Sequence, residues 1–133
     1  MTKIMIRVEK YPTESEEKII KAVENIFDIN RDELKEIKEK EKTIYLYETD
    51  NLNVLNKFKA RIKHRNIQIH VRAYMQRNIL ANRTHIYLNK QTATIGKVSI
   101  CESPYECPLG AILLEIEEEN LTALNDIIEW LTT

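Results

Sequence analysis

The chain has 133 residues, 43% hydrophobic and 31% charged, which is enough for one domain with a sizeable core and short for two. Its 2 Gly and 3 Pro leave no glycine-rich phosphate loop, which excludes P-loop and dinucleotide sites, and no apolar run approaches the ~20 residues of a membrane span. The net charge of -1 conceals a segregation: residues 1–50 carry 10 Lys/Arg and 13 Asp/Glu, residues 51–101 carry 10 Lys/Arg and no acid, and residues 102–133 carry 8 acids and no Lys/Arg.

In chain order, Lys3 to Glu9 alternates with period two and predicts a first strand with Ile4, Ile6 and Val8 inward. Pro12 stops it. Thr13-Glu14-Ser15-Glu16 reads as a capping box with Thr13 as cap, opening a helix whose apolar face is Ile19, Ile20, Val23, Ile26 and Phe27. Leu34 to Glu39 is a weak strand. Thr43 to Glu48 is a clear one, with Ile44 and Leu46 facing one way and Tyr45 and Tyr47 the other. From Asp50 or Asn51 a helical pattern runs to about Asn78, and its phase slips near His64 to Ile67, which predicts two helices with a break. Thr84 to Leu88 and Lys97 to Cys101 read as strands around a short excursion at Lys90 to Ile95. Ser103 to Pro108 is a loop, and Ala111 to Glu117 a strand with Ile112, Leu114 and Ile116 inward. Asn120 caps a last helix. The order of elements predicts a single α+β domain spanning residues 1–133, with a mostly antiparallel sheet and helices on one face.

The chemistry-bearing residues exclude more than they assign. His64, His70 and His85 fall at no metal-ligand spacing, and no nucleophile has a base at a recognisable spacing. The expectation is a non-enzyme without metal or cofactor. Glu117-Glu118-Glu119 reads as a solvated turn. Cys101 and Cys107 are free thiols in a reducing cytosol, or a disulfide in a hyperthermophile. Abundant Glu (17), Lys (13) and Ile (19) fit a thermophilic source or an AT-rich genome. The charged, alternating start carries no apolar leader, so a cytoplasmic protein with no membrane partner is expected.

The acid-free stretch suggests a surface for a polyanion. Lys57, Arg61, His64 and Arg65 recur at helical spacing, and Arg72 joins them if the helix is bent rather than broken. Tyr45, Tyr47 and Tyr87, at outward strand positions, would stack bases on an open sheet, or else pack under a loop or a partner subunit. Arg7 and Lys97 would share that face. At Leu88-Asn89-Lys90-Gln91-Thr92-Ala93 a strand gives way to polar groups that either receive an anion or fix the turn.

That last segment carries a resemblance, together with Gly96-Lys97-Val98-Ser99, Pro108-Leu109-Gly110-Ala111-Ile112, Ile128-Glu129-Trp130-Leu131 and the opening Tyr11-Pro12-Thr13-Glu14. The chain resembles, over nearly its whole length, an uncharacterised archaeal family related to predicted RNA-binding proteins associated with the exosome. The fold of that family resembles the ribosomal protein that carries 5S rRNA. The resemblance implies an α+β fold and an RNA-binding role. The chain departs from the family pattern at Ile69, where the middle helix often has Asp.

The expected function is RNA binding without catalysis, in RNA processing or ribosome-related work. The residues expected to carry it are Lys57, Arg61, Arg65, Arg72, Lys90, Gln91, Lys97, Tyr45 and Tyr47. RNA is the expected partner, with a homodimer and an RNA-processing complex as further ones. The alternative is a dimeric adaptor in which the basic block of one chain meets the acidic C-terminal segment of another.

Overall fold

The computed structural model describes residues 1–107 and 110–133. Pro108 and Leu109, the start of the Pro-Leu-Gly motif and the end of the expected Ser103–Pro108 loop, lie outside the described residues. Six strands, β1 (Lys3–Lys10), β2 (Lys35–Lys38), β3 (Thr43–Thr49), β4 (Arg83–Asn89), β5 (Ile100–Cys101) and β6 (Ala111–Glu117), form one sheet in the order β2-β3-β1-β6-β4-β5. Every neighbouring pair is antiparallel. The helices are α1 (Glu16–Ile26), α2 (Asn56–His64), α3 (Gln68–Arg77), the single turn α4 (Lys90–Ala93) and α5 (Leu121–Leu131). The α+β class and the one-sided packing hold as expected. No helix among the described residues is long and apolar enough to cross a membrane.

Alternation decides the sheet. Ile4, Ile6 and Val8 of β1, Ile112, Leu114 and Ile116 of β6, and Ile86 and Leu88 of β4 are all buried on the helix side. They pack with Val23 and Ile26 of α1, Phe58 and Ile62 of α2, Val71 and Met75 of α3, and Leu124 and Ile128 of α5. Each such side chain is worth ~1.5–3 kcal/mol on burial, so this face sets the register.

Register overturns the expected orientation of β3. Tyr47 lies opposite Ile6 and Tyr45 opposite Val8, and directly paired residues share a face. Both tyrosines are therefore core residues, 3% exposed at Tyr45 and 7% at Tyr47. Ile44 and Leu46 point to the other side. Four consecutive bulky residues, Ile44-Tyr45-Leu46-Tyr47, give no polar position to mark the outside, and pairing with β1 makes the choice.

The helical boundaries are chemically explicit. Ser15, not Thr13, caps α1, its hydroxyl accepting from the Lys18 N–H. Glu14 is drawn away to the Tyr11 N–H and to Lys90. The break after α2 is an Asn66 in the left-handed region, φ 59°. The Ile67 N–H returns to the Ile62 carbonyl at 3.1 Å and the Asn66 N–H to the Lys63 carbonyl at 3.0 Å, closing the helix end. The chain after α4 closes alike, with Gly96 at φ +78° and the Lys97 N–H bonded to the Thr92 carbonyl at 3.0 Å. That bond keeps Lys97 out of the strand expected to begin there, and β5 is two residues long.

One further expectation changes, and one alternative left open by the sequence is decided. Glu118 is buried rather than solvated: it accepts from the Thr2 hydroxyl and sits 3.5 Å from the N-terminal amine. Cys101 and Cys107 are bonded as a disulfide.

Candidate nucleic-acid interface

Most cations of the acid-free stretch fall into two sets, and Lys63, exposed on α2, belongs to neither. One set is spent inside the fold. Lys90 is 3% exposed, and its ammonium donates to the Glu9 carbonyl at 2.6 Å and to Glu14 Oε1 at 3.0 Å. Burial pushes its pKa down, and the Glu14 carboxylate offsets only part of that. Asn89 Oδ1 accepts from the N–H groups of Gln91 and Thr92, so the Asn89-Lys90-Gln91 segment fixes its own turn. Lys90 thus anchors β1 to α4 instead of facing a ligand, while Gln91 is exposed on α4 and does not line the groove beside α2. Arg72, on α3 beyond the break, donates to Thr132 Oγ1 at 2.9 Å and to the Thr132 carbonyl at 3.2 Å. It ties α5 down and does not join the residues of α2. Tyr45 and Tyr47 are in the core and offer no stacking surface.

The second set lines a groove. Lys57, Ala60, Arg61, His64 and Arg65 of α2 and its C-terminal end meet Gly96 and Lys97 of the loop after α4 around a depression of about 830 Å³. The i, i+4, i+7, i+8 spacing puts the α2 residues on one side of the helix. The loop is distant in sequence and is held by the arginines themselves. Arg61 donates from Nε to the Asn25 carbonyl and from Nη1 to the Gly96 carbonyl at 2.9 Å. Arg65 Nη1 donates to the Val98 carbonyl at 2.8 Å. Lys57 reaches the Glu24 carbonyl at 2.7 Å. The Glu24 and Asn25 carbonyls belong to the last turn of α1, where end carbonyls lack helical partners and cations are favoured.

Gly96 is required twice over. Its φ of +78° disfavours a side chain, and a Cβ there would lie 3.0 Å from Arg61 Nη1. Close approach of the loop to the guanidinium depends on it.

Each anchored arginine keeps donors in hand. A guanidinium has five N–H groups in a rigid fork. Among the described residues, Nη2 of Arg61 and Nε and Nη2 of Arg65 meet no protein acceptor. Lys97, His64 and Arg65 are exposed. No carboxylate lines the groove; Asp28 stands 3.9 Å from Lys57 at one end. The arrangement presents four positive charges, three of them held by bonds to backbone carbonyls, with donors to spare, which suits phosphate oxygens.

Of the residues expected from the sequence, Lys57, Arg61, Arg65 and Lys97 line this groove; Lys97 was expected to share a face with Arg7, and the two lie on different sides. Arg7 is on the open sheet face, 3.4 Å from Glu9. The role of Gly96 was missed. Its signals were its rarity, as one of two glycines, and its place in the Gly96-Lys97-Val98-Ser99 segment.

Comparison with known proteins agrees in direction. A family model described as RNA binding matches residues 3–117. A UPF0201 protein of Sulfurisphaera tokodaii is 39% identical over 132 residues, 99% of this chain and 88% of the relative. One from Saccharolobus solfataricus is 32% identical over 131 residues, 98% of this chain and 87% of its own. The crystal structure of a UPF0201 protein from Methanococcus jannaschii superposes with a TM-score of 0.73 at 25% identity, covering 95% of this chain and 98% of that one. Match length and identity together place the chain in the UPF0201 family of archaeal proteins, the family whose model is described as RNA binding.

Proposed function

We propose that the protein binds single-stranded RNA through its phosphates, using the α2 groove. Lys57, Arg61, Arg65 and Lys97 supply the charge, and His64 adds a donor. One observation carries this reading: cations from two distant segments converge on a groove that no carboxylate lines. The description of the family model supports RNA as the polyanion. A strand held by its phosphates would be bound with little base preference. No catalytic step is assigned to the groove, and an accessory role in RNA processing fits a protein that holds a strand without cutting it. The test is the affinity for a single-stranded 12-mer across a salt series. Four phosphate contacts give a log K against log salt slope of about -3.

A further inference from the structure

We infer that the open face of the sheet carries a second site, a slot for one unpaired nucleobase and its phosphate, built from Tyr11, Tyr87 and Tyr105 with Arg7 and Lys42. The inference rests on the RNA-binding reading above but uses none of the groove residues.

Cross-strand pairing builds the slot. Arg7 lies opposite Leu113, Leu113 opposite Tyr87, and Tyr87 opposite Cys101. This row runs across the three neighbouring strands β1, β6 and β4 on to β5, on the side away from the helices. Cys101 is bonded to Cys107. The bond holds the 3-10 turn Pro104–Glu106, which carries Tyr105, beside Tyr87. Arg7, Tyr11, Lys42, Tyr87 and Tyr105 then surround a depression of about 530 Å³, the size of a small-molecule site.

The ring positions are supported from behind. His85 packs edge-on to Tyr87 with ring centroids 5.1 Å apart. The Tyr11 hydroxyl donates to Glu9 Oε2 at 3.1 Å. Tyr105 is 94% exposed, a large aromatic surface left in water that a stacked base would cover.

Charge favours an anionic occupant. Glu9 is bonded to Lys42 at 3.2 Å and lies 3.4 Å from Arg7. Burial alone would raise its pKa; the Lys42 and Tyr11 bonds and the Arg7 charge outweigh burial and hold it below the usual carboxylate range. Glu9 therefore stays ionised, and two cations against one anion leave the slot with a surplus positive charge. Three phenol rings with a surplus cation match a planar base carrying a phosphate. An inorganic anion would leave the rings unused.

The test uses the intact protein and three probes: a single-stranded oligouridine 12-mer, an abasic ribose-phosphate 12-mer, and uridine monophosphate. Tyr105→Ala is the first variant, because so exposed a side chain contributes nothing to the core; Tyr87→Leu is the second. Both should weaken the 12-mer roughly tenfold, a typical loss for one stacked base, and leave the abasic strand unchanged. Uridine monophosphate at millimolar concentration should shift the ring resonances of Tyr87 and Tyr105 in the parent. Unchanged 12-mer affinity in Tyr105→Ala, or no shift of either tyrosine by the nucleotide, would overturn the slot. So would a tyrosine-dependent dimer in sedimentation without any base effect, which would make the face a self-association surface. Failure of the abasic strand to bind the parent at low salt would instead sink the groove, and the slot would then stand or fall with the nucleotide-induced shifts.

Discussion

Lys90 and Lys97 are seven residues apart in the same acid-free stretch, and they end in opposite circumstances. Around Lys90 the fold is closed: a carbonyl, a carboxylate and the ring of Tyr11 surround the ammonium. Beside Lys97 it is open, and Arg61 and Arg65 hold the loop in place while keeping donors free. A surplus of cations in a sequence is therefore no measure of a binding surface. What counts is how many of their donors the fold leaves unspent and whether a carboxylate stands opposite. By that measure the ten Lys/Arg of residues 51–101 reduce to the four of the groove and to Lys63, exposed on α2 outside it.

Substitutions can break or sharpen this contrast. The largest expected effect is at Lys90. Lys90→Ala removes one partner of a buried pair and orphans the Glu9 carbonyl, which should cost ~3–5 kcal/mol in a denaturant titration. An RNA affinity that fell while stability held would put Lys90 in the binding surface instead.

Arg61 stands between the two extremes, since it both builds the groove and lines it. Arg61→Ala should cost ~1.5–3 kcal/mol through the lost charge-assisted bonds to the Asn25 and Gly96 carbonyls. It should also lower the salt slope by about 0.7. A stable variant with an unchanged slope would contradict both roles.

A further test asks which face of β3 is closed. Burial, with Glu16 and Glu36 adding to it, pushes the Tyr45 hydroxyl up to about 12, against about 10 in the unfolded chain. The folded state keeps that proton longer. The resulting stability is present below the unfolded value and is lost as pH rises towards 12. Comparing Tyr45→Phe with the parent by denaturation at about pH 9 and about pH 11.5 should show the variant losing less, by up to about 2 kcal/mol. Equal losses would place the tyrosine in water.

The smallest effect belongs to Lys97, exposed and with no bond from its ammonium among the described residues. Lys97→Ala should leave stability within about 0.5 kcal/mol of the parent and reduce the salt slope by about 0.7.

Much of the fold was legible because single faces announce themselves. Ile4, Ile6 and Val8 alternate with charged or half-buried neighbours, and Ile112, Leu114 and Ile116 do likewise. The break at Asn66 showed as a slip in helical phase. The orientation of β3 was hidden because both of its faces are bulky. The cap of α1 was hidden because Thr13 and Ser15 both begin a plausible helix, and only the demand of Lys90 for Glu14, 76 positions away, separates them. Of the site, the α2 stripe could be read from spacing alone. Its second wall could not, since Lys97 reaches it only through the closure of α4 at Gly96 and the bond from Arg61. Burial of Lys90 left no local signal: a lysine after a strand is ordinarily a surface residue.

The central claim is that of the ten cations in residues 51–101, the four of the groove meet the RNA backbone. The salt dependence of 12-mer binding tests it most directly, because each phosphate neutralised adds about 0.7 to the slope. The expected slope is about -3, shrinking by about 0.7 in Lys97→Ala and unchanged in Arg83→Ala, whose side chain is paired with Glu115 and Glu117 outside the groove. A parent slope near zero, or a loss in Arg83→Ala equal to that in Lys97→Ala, would contradict it.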